Sequence, residues 1–161
     1  MSQGAFFLPV RSWGTLRLPE SLRYIGEEAA GEVDRVEVAP ARVLIVEDDG
    51  ALAQMYRVRL EKDGHVVTLA PDGESGLELL GSQAFDIVLL DIGLPRADGL
   101  EVLESVRADL ALSKLPVVIL SNYNEPRMIE RGLKLGAIEY LVKAHVTPGQ
   151  LAAGIPRWRK G

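Results

Sequence analysis

Four polar side chains, far apart in the sequence, occupy the same kind of position. Asp91, Ser121 and Lys143 each close a run of apolar residues: Ile87-Val88-Leu89-Leu90-Asp91, Val117-Val118-Ile119-Leu120-Ser121 and Tyr140-Leu141-Val142-Lys143. Asp48 stands just past a fourth run, which ends at Val46. An unbroken apolar run bounded by a turn reads as a strand buried on both faces. Parallel strands bring their carboxyl ends to one rim, and that rim is where open α/β sheets bind ligands. The four side chains are therefore predicted to meet. Acids, a hydroxyl and an ammonium at one rim suit an oxyanion held with a hard cation. Oxygen ligands without His or Cys favour Mg²⁺, which binds through one or two carboxylates and keeps several waters. The lysine offers a point charge for phosphate, and the serine one hydrogen bond. A carboxylate can itself be the nucleophile and form an aspartyl-phosphate. Taken singly, Asp91 could be a helix cap, Lys143 a solvated lysine and Ser121 a turn residue. Their recurrence at successive strand ends favours the shared site.

The elements that must position these groups alternate regularly after Ala39-Pro40. Arg42 to Val46 is a strand. Asp49 can cap the helix that follows, with Leu52, Met55, Tyr56 and Leu60 on one face. Asp63-Gly64 stops it. His65 to Leu69 reads as a second strand and Gly73 to Leu80 as a second helix. The third strand ends at Asp91, and its helix carries Leu100, Leu103 and Val106 on one face. Pro116 to Leu120 is the fourth strand, leading to Ser121. Asn124 is the predicted cap of the fourth helix, which has Ile129 and Leu133 one turn apart and ends at Gly136. Ile138 to Val142 is the fifth strand. Thr147-Pro148-Gly149-Gln150 reads as a capping box with proline at the first helical position. Gly154 and Pro156 interrupt the last helix, and proline in a helix interior costs about 3 kcal/mol, so a break near Gly154 is expected. Five strands alternating with five helices imply parallel pairing through right-handed crossovers, in a doubly wound sheet of order 2-1-3-4-5. The second strand is the most polar and belongs at an edge.

Composition narrows the class. The 161 residues suffice for one ordinary domain and a small appendage, and 47% of them are hydrophobic, which suits a globular core. A net charge of −5 gives no bulk attraction to nucleic acid or anionic membrane. The absence of cysteine excludes disulfides and thiolate metal sites and fits a reducing compartment. No apolar run approaches the roughly 20 residues of a membrane helix, and no basic segment precedes the apolar patch of Met1 to Val10, so neither a membrane span nor a secretory signal is expected. No His, Asp and Ser grouping supports a hydrolase, and Gly73, Gly76 and Gly81 form no phosphate loop.

Val46-Glu47-Asp48-Asp49, Leu89-Leu90-Asp91-Ile92-Gly93-Leu94-Pro95 with Asp98-Gly99, the run ending at Ser121, and Tyr140-Leu141-Val142-Lys143 together resemble the receiver domain of two-component response regulators, the CheY-like proteins. The likeness covers about residues 41 to 157. It implies a flavodoxin-like fold and a phosphoprotein in which Asp91 accepts a phosphoryl group from a sensor histidine kinase or a phosphotransfer protein. Glu47 and Asp48 would form the acidic pair for Mg²⁺, with Asp91 and the Gly93 backbone carbonyl as further ligands. Ser121 would bond the phosphate after a small shift of its strand, Lys143 would pair with a phosphate oxygen, and Tyr140 would report the state to a downstream protein partner. Such a protein is a cytoplasmic signalling element rather than an enzyme with an external substrate; its only chemistry is self-catalysed phosphoryl transfer and dephosphorylation. Three departures stand out. Ala144 follows the lysine where the family usually has a cis-proline, which predicts a trans bond, or a cis bond held by its surroundings, and a loop of altered path. Gly93 replaces a larger side chain, and Asn122 a smaller one; both flank access to the phosphate and bear on its lifetime.

Residues 1–40 form a separate extension ahead of the receiver at 41–161. Trp13 to Arg23 and Val33 to Val38 read as strand, short helical turn, strand, loosely resembling an AbrB-type swapped hairpin. That implies a homodimer, with Arg11, Arg17 and Arg23 as phosphate-contacting candidates on DNA. Glu27, Glu28 and Glu32 make the segment net negative, so a dimerising or partner-docking hairpin without DNA binding is the preferred reading, and a dimeric DNA-binding transcription regulator the alternative.

Overall fold

Strands that are apolar along their whole length need cover on both faces. Arg42–Val46 (β1), Ile87–Asp91 (β3) and Val117–Ser121 (β4) are buried almost throughout. They form the centre of a five-stranded parallel sheet in the computed structural model, which describes residues 39–95 and 98–160. Val66–Ala70 (β2) and Glu139–Val142 (β5) are the edges, and the order is β2-β1-β3-β4-β5, as the alternation predicts. The register pairs Val46 with Leu90, Asp91 with Leu120 and Ser121 with Val142, so the carboxyl ends finish on one rim. The extension proposed for residues 1–40, with its arginines and its hairpin, falls almost wholly outside the described residues. No helix among those described is long and apolar enough to cross a membrane.

Helices cover both faces. Alternate strand residues Leu44, Val46, Val88, Leu90 and Ile119 pack with Leu80 of Gly73–Ser82 (α2) and with Leu100, Leu103 and Val106 of Gly99–Ala108 (α3). The other set, Val43, Ile45, Ile87, Leu89, Val118 and Leu120, packs with Tyr56 and Leu60 of Gly50–Lys62 (α1) and with Leu151, Ile155 and Trp158 of Pro148–Trp158 (α5). This period-2 division of each strand between two cores is what a sheet sandwiched by helices requires.

Local signals behave as their chemistry dictates. The Asp49 side chain accepts from Leu52 N–H at 3.1 Å and caps α1, and Gly64 leaves that helix at φ 92°, a conformation costly for any side chain. Thr147 and Gln150 complete the reciprocal capping box of α5.

Four expectations need correction. On α1, Ala53 is buried with Tyr56 and Leu60, whereas Met55 is 47% exposed. The buried face centres on 53, 56 and 60, and at 100° per residue Met55 falls off its edge. Asn124 does not cap the fourth helix, Pro126–Lys134 (α4). Glu125 is the N-cap and makes no side-chain cap bond, because Pro126 fixes the first helical position and holds the residue before it extended. On α4 Leu133 is 45% exposed, and Gly132 is the buried residue: a Cβ there would stand 2.6 Å from Ile119 Cδ1, so the missing side chain is what lets this helix lie on the sheet. Finally, α5 does not break at Gly154 but runs through Pro156 to Trp158. A Cβ on Gly154 would lie 2.2 Å from the Trp158 ring, so this glycine is a packing surface for the indole rather than a hinge. Burial of Leu151, Ala152, Ile155 and Trp158 outweighs the cost of the proline.

Candidate functional site

Each strand end delivers one group to the rim. Glu47 leaves β1 with its side chain buried; its Oε1 accepts the Asp49 N–H at 3.1 Å, and its Oε2 pairs with Lys143. Asp91 closes β3, 6% exposed; its Oδ1 accepts the Gly93 N–H at 2.9 Å, and its Oδ2 accepts from Lys143 Nζ at 3.0 Å. Lys143, the first residue beyond β5, thus bridges two acids from two other strands. Asp48 is exposed at the mouth, and oxygens of Glu47, Asp48 and Asp91 lie within 4.8 Å of one another.

Burial pushes the Glu47 carboxyl up from its ordinary value, with the Lys143 and Asp49 hydrogen bonds pulling the other way. Burial alone would lower the Lys143 ammonium, but its hydrogen bonds to Glu47 and Asp91 outweigh that and hold it above the usual lysine value. The lysine is the internal counter-ion of the cluster.

Three carboxylates against one ammonium leave two formal negative charges at one point. All the donors are hard oxygens, and the group includes no imidazole or thiolate. That is the donor chemistry of Mg²⁺ or Ca²⁺ rather than of a softer transition metal. The cleft above the acids is about 390 Å³, with Gly93, Asn122, Tyr123 and Leu52 on its walls.

The structure thus brings together Glu47, Asp48, Asp91, Gly93 and Lys143, all anticipated from strand ends or from the resemblance. Gly93 and Asn122 flank the cleft as expected. Ser121 is fully buried and does not line it; its Oγ accepts the Tyr123 N–H at 3.0 Å. Tyr140 is half-buried, and its O–H donates to the Tyr123 carbonyl at 2.9 Å. The two residues expected to act as a switch therefore hold the same peptide segment, at opposite sides of Tyr123. Tyr123 itself was not singled out in the sequence: it lies in a loop with no apolar period. The only signal available was its place two residues past Ser121. Its ring comes within 3.4 Å of where a Gly93 Cβ would stand. Among the described residues no peptide bond is cis, so the Lys143–Ala144 bond is trans, and the chain continues as one 3-10 turn, Lys143–His145.

The response regulator receiver domain family matches residues 43–155. The transcriptional regulatory protein AfsQ1 of Streptomyces coelicolor is 38% identical over 101 residues, covering 63% of this chain and 44% of AfsQ1. The transcriptional activator protein PfeR of Pseudomonas aeruginosa is 40% identical over 108 residues, covering 67% of this chain and 34% of PfeR. The chain therefore matches less than half the length of either. Among solved structures, the chemotaxis response regulator CheY4 of Vibrio cholerae superposes with a TM-score of 0.69 at 28% identity, over 74% of this chain and 98% of that one. A putative response regulator from Chloroflexus aurantiacus gives 0.71 at 28% identity, over 76% and 99%.

Proposed function

The chain belongs to the response regulator receiver domain family, and on that premise we propose that Asp91 is the carboxylate that takes up a phosphoryl group from the phosphohistidine of a sensor kinase or phosphotransfer protein. One observation carries the assignment to these residues. Lys143 Nζ bridges Glu47 and Asp91 at the rim, with the Asp48 carboxylate beside them. In the transfer an Asp91 oxygen bonds to phosphorus while the P–N bond breaks, and the departing imidazole nitrogen keeps the electron pair and takes a proton. Catalysis of this step is mostly placement and neutralisation of charge. Asp91 is placed by the Gly93 N–H and by Lys143, so its carboxylate does not have to be ordered in the reaction. Lys143 turns from the acids to an equatorial phosphate oxygen. Glu47, Asp48 and Asp91, with the Gly93 carbonyl, are the groups that would hold Mg²⁺, which when bound would neutralise phosphoryl charge.

The phosphoryl group then offers Ser121 Oγ a new acceptor. To donate to it, the Ser121 hydroxyl, now fully buried and accepting the Tyr123 N–H, must swing toward the cleft, and Tyr123 is the residue whose carbonyl Tyr140 holds. Ser121 and Tyr140 would thereby convert phosphorylation into a change of the segment after β4, read by a downstream protein partner. The protein acts as a cytoplasmic signalling element with no external substrate. The alternative of a DNA-binding regulator is not favoured: the family match begins at residue 43 and lends nothing to the first forty residues. The test is intact mass after incubation with Mg²⁺ and acetyl phosphate. A phosphate-sized increment in wild type, absent in Asp91→Asn, is expected; no increment in wild type would refute the proposal.

A further inference from the structure

The far rim of the sheet, opposite the acidic cluster, holds residues 39–42 more firmly than a connecting segment requires. Arg159 Nη1 donates to the carbonyls of Ala39 at 2.7 Å and Pro40 at 3.1 Å. The Ala41 N–H donates to Nδ1 of buried His65 at 3.1 Å, and the Arg42 N–H donates to Asp86 Oδ2 at 2.7 Å. The three gripping side chains come from three places: Arg159 just past α5, His65 just before β2, and Asp86 just before β3. Segments that join structural units are ordinarily exposed, with few contacts crossing them. Ala39 and Pro40 are exposed, yet both of their carbonyls are taken by one guanidinium.

The arginine sits at the end of a short mechanical path. Glu139, the first residue of β5, accepts from Trp158 Nε1 at 2.8 Å and from Arg157 at 2.9 Å, so the last turn of α5 is fastened to that strand. The same four-residue strand delivers Lys143 at its other end. One side of Lys143 is the acceptor cluster; the other leads through β5, Glu139 and the last turn of α5 to the carbonyls of residues 39 and 40.

We propose that Arg159 is a latch through which the state of the acceptor site reaches the attachment point of the amino-terminal segment, so that residues 1–38 are an output of this receiver. The inference rests on the phosphoacceptor reading given above. A shift of Lys143 toward phosphate displaces β5, and its fastening to α5 carries the displacement to Arg159. One guanidinium nitrogen, Nη1, makes both bonds to adjacent carbonyls, and a small movement of it breaks their shared geometry.

The experiment is hydrogen exchange with mass spectrometry on the full chain, reading the peptide that covers residues 36–42, with intact mass measured on the same samples. Samples are wild type, Asp91→Asn and Arg159→Gln, each with and without Mg²⁺ and acetyl phosphate. In wild type that gains the phosphate increment, release of the Ala39 and Pro40 carbonyls loosens the segment, and exchange at the adjacent Ala41 and Arg42 amides, whose own bonds go to His65 and Asp86, rises about tenfold. Asp91→Asn shows no change. Arg159→Gln takes the increment as wild type does, exchanges faster at these amides from the start, and no longer responds. Phosphorylated wild type with unchanged exchange at residues 39–42, or Arg159→Gln that still responds, would overturn the latch while leaving the phosphoacceptor reading intact. Absence of the mass increment in wild type would overturn that reading, and the latch with it.

Discussion

Asp91→Asn removes the proposed acceptor, and its effect on stability can be worked from the geometry. The substitution keeps an oxygen to receive the Gly93 N–H but deletes one charge. The lost attraction is to Lys143 at 3.0 Å, roughly 5–6 kcal/mol at an effective dielectric of about 20. The relieved repulsions are those from Glu47 and Asp48, whose oxygens lie within 4.8 Å; at that distance each is about 3.5 kcal/mol on the same scale, less for exposed Asp48 because water screens it. The opposing sums agree to within about 2 kcal/mol, so without metal Asp91→Asn should unfold within about 2 kcal/mol of wild type. Lys143→Met is not balanced in this way. It leaves Glu47 and Asp91 buried without their counter-ion, and breaking such a cluster from the cationic side costs about 3 kcal/mol or more. The assay is urea unfolding followed by far-UV circular dichroism at pH 7.5, with a chelator and then with millimolar Mg²⁺. Mg²⁺ should stabilise wild type by mass action and Asp91→Asn less, since one ligand has lost its charge. Asp91→Asn that loses more than Lys143→Met in the metal-free arm would show that the ion pair, not the mutual repulsion of the acids, sets the energetics, and would refute the reasoning.

Other perturbations follow from packing and titration. Gly99→Ala would place a Cβ 2.2 Å from the Asp91 backbone oxygen, a clash between two main chains with no flexible side chain to yield; a loss of about 3 kcal/mol or failure to fold is expected from thermal melts. Gly154→Ala meets the Trp158 ring instead, so the indole must move and release its bond to Glu139; helix propensity offsets part of the clash, and a net loss of about 1–2 kcal/mol by urea unfolding is expected. Burial pushes His65 below the ordinary histidine value, and its Nδ1 accepts the Ala41 N–H, so the folded chain holds it neutral. The unfolded chain therefore binds more protons below about pH 6.5, and stability should fall as pH drops from there, by at most about 1.4 kcal/mol per unit from this group. His65→Gln should lose that slope between pH 7 and 5.5; an unchanged slope would assign it to other groups. Tyr140→Phe deletes the bond to the Tyr123 carbonyl, and hydrogen exchange in residues 121–125 should rise without loss of the phosphate increment on Asp91.

The sheet was legible because its signal is local and strong. Continuous apolar runs of about five residues, separated by polar turns, leave a doubly wound parallel sheet as the economical arrangement, and strand ends then locate Asp91 and Lys143 without any contact being known. Caps and turns made of Asp49, Gly64 and Thr147 were equally readable, since each acts on backbone within four residues of itself. The failures share one cause. Met55, Leu133, Asn124 and the break placed at Gly154 were judged from the preferences of their own segments. What decides them is how closely another element approaches.

Sequence alone thus determined which residue types stand at which strand ends, and so the chemistry available to the rim. Only the folded structure decided how those groups are wired. It placed the Lys143 ammonium between Glu47 and Asp91, turned Ser121 away from the cleft onto Tyr123, and let Gly132 and Gly154 serve as contact surfaces. It also bound the carbonyls of residues 39 and 40 to an arginine 120 and 119 positions away. Periodicity reports which face of an element is buried, because burial repeats along the chain. Contacts between distant side chains do not repeat, and they are set by the distances at which whole elements come to rest.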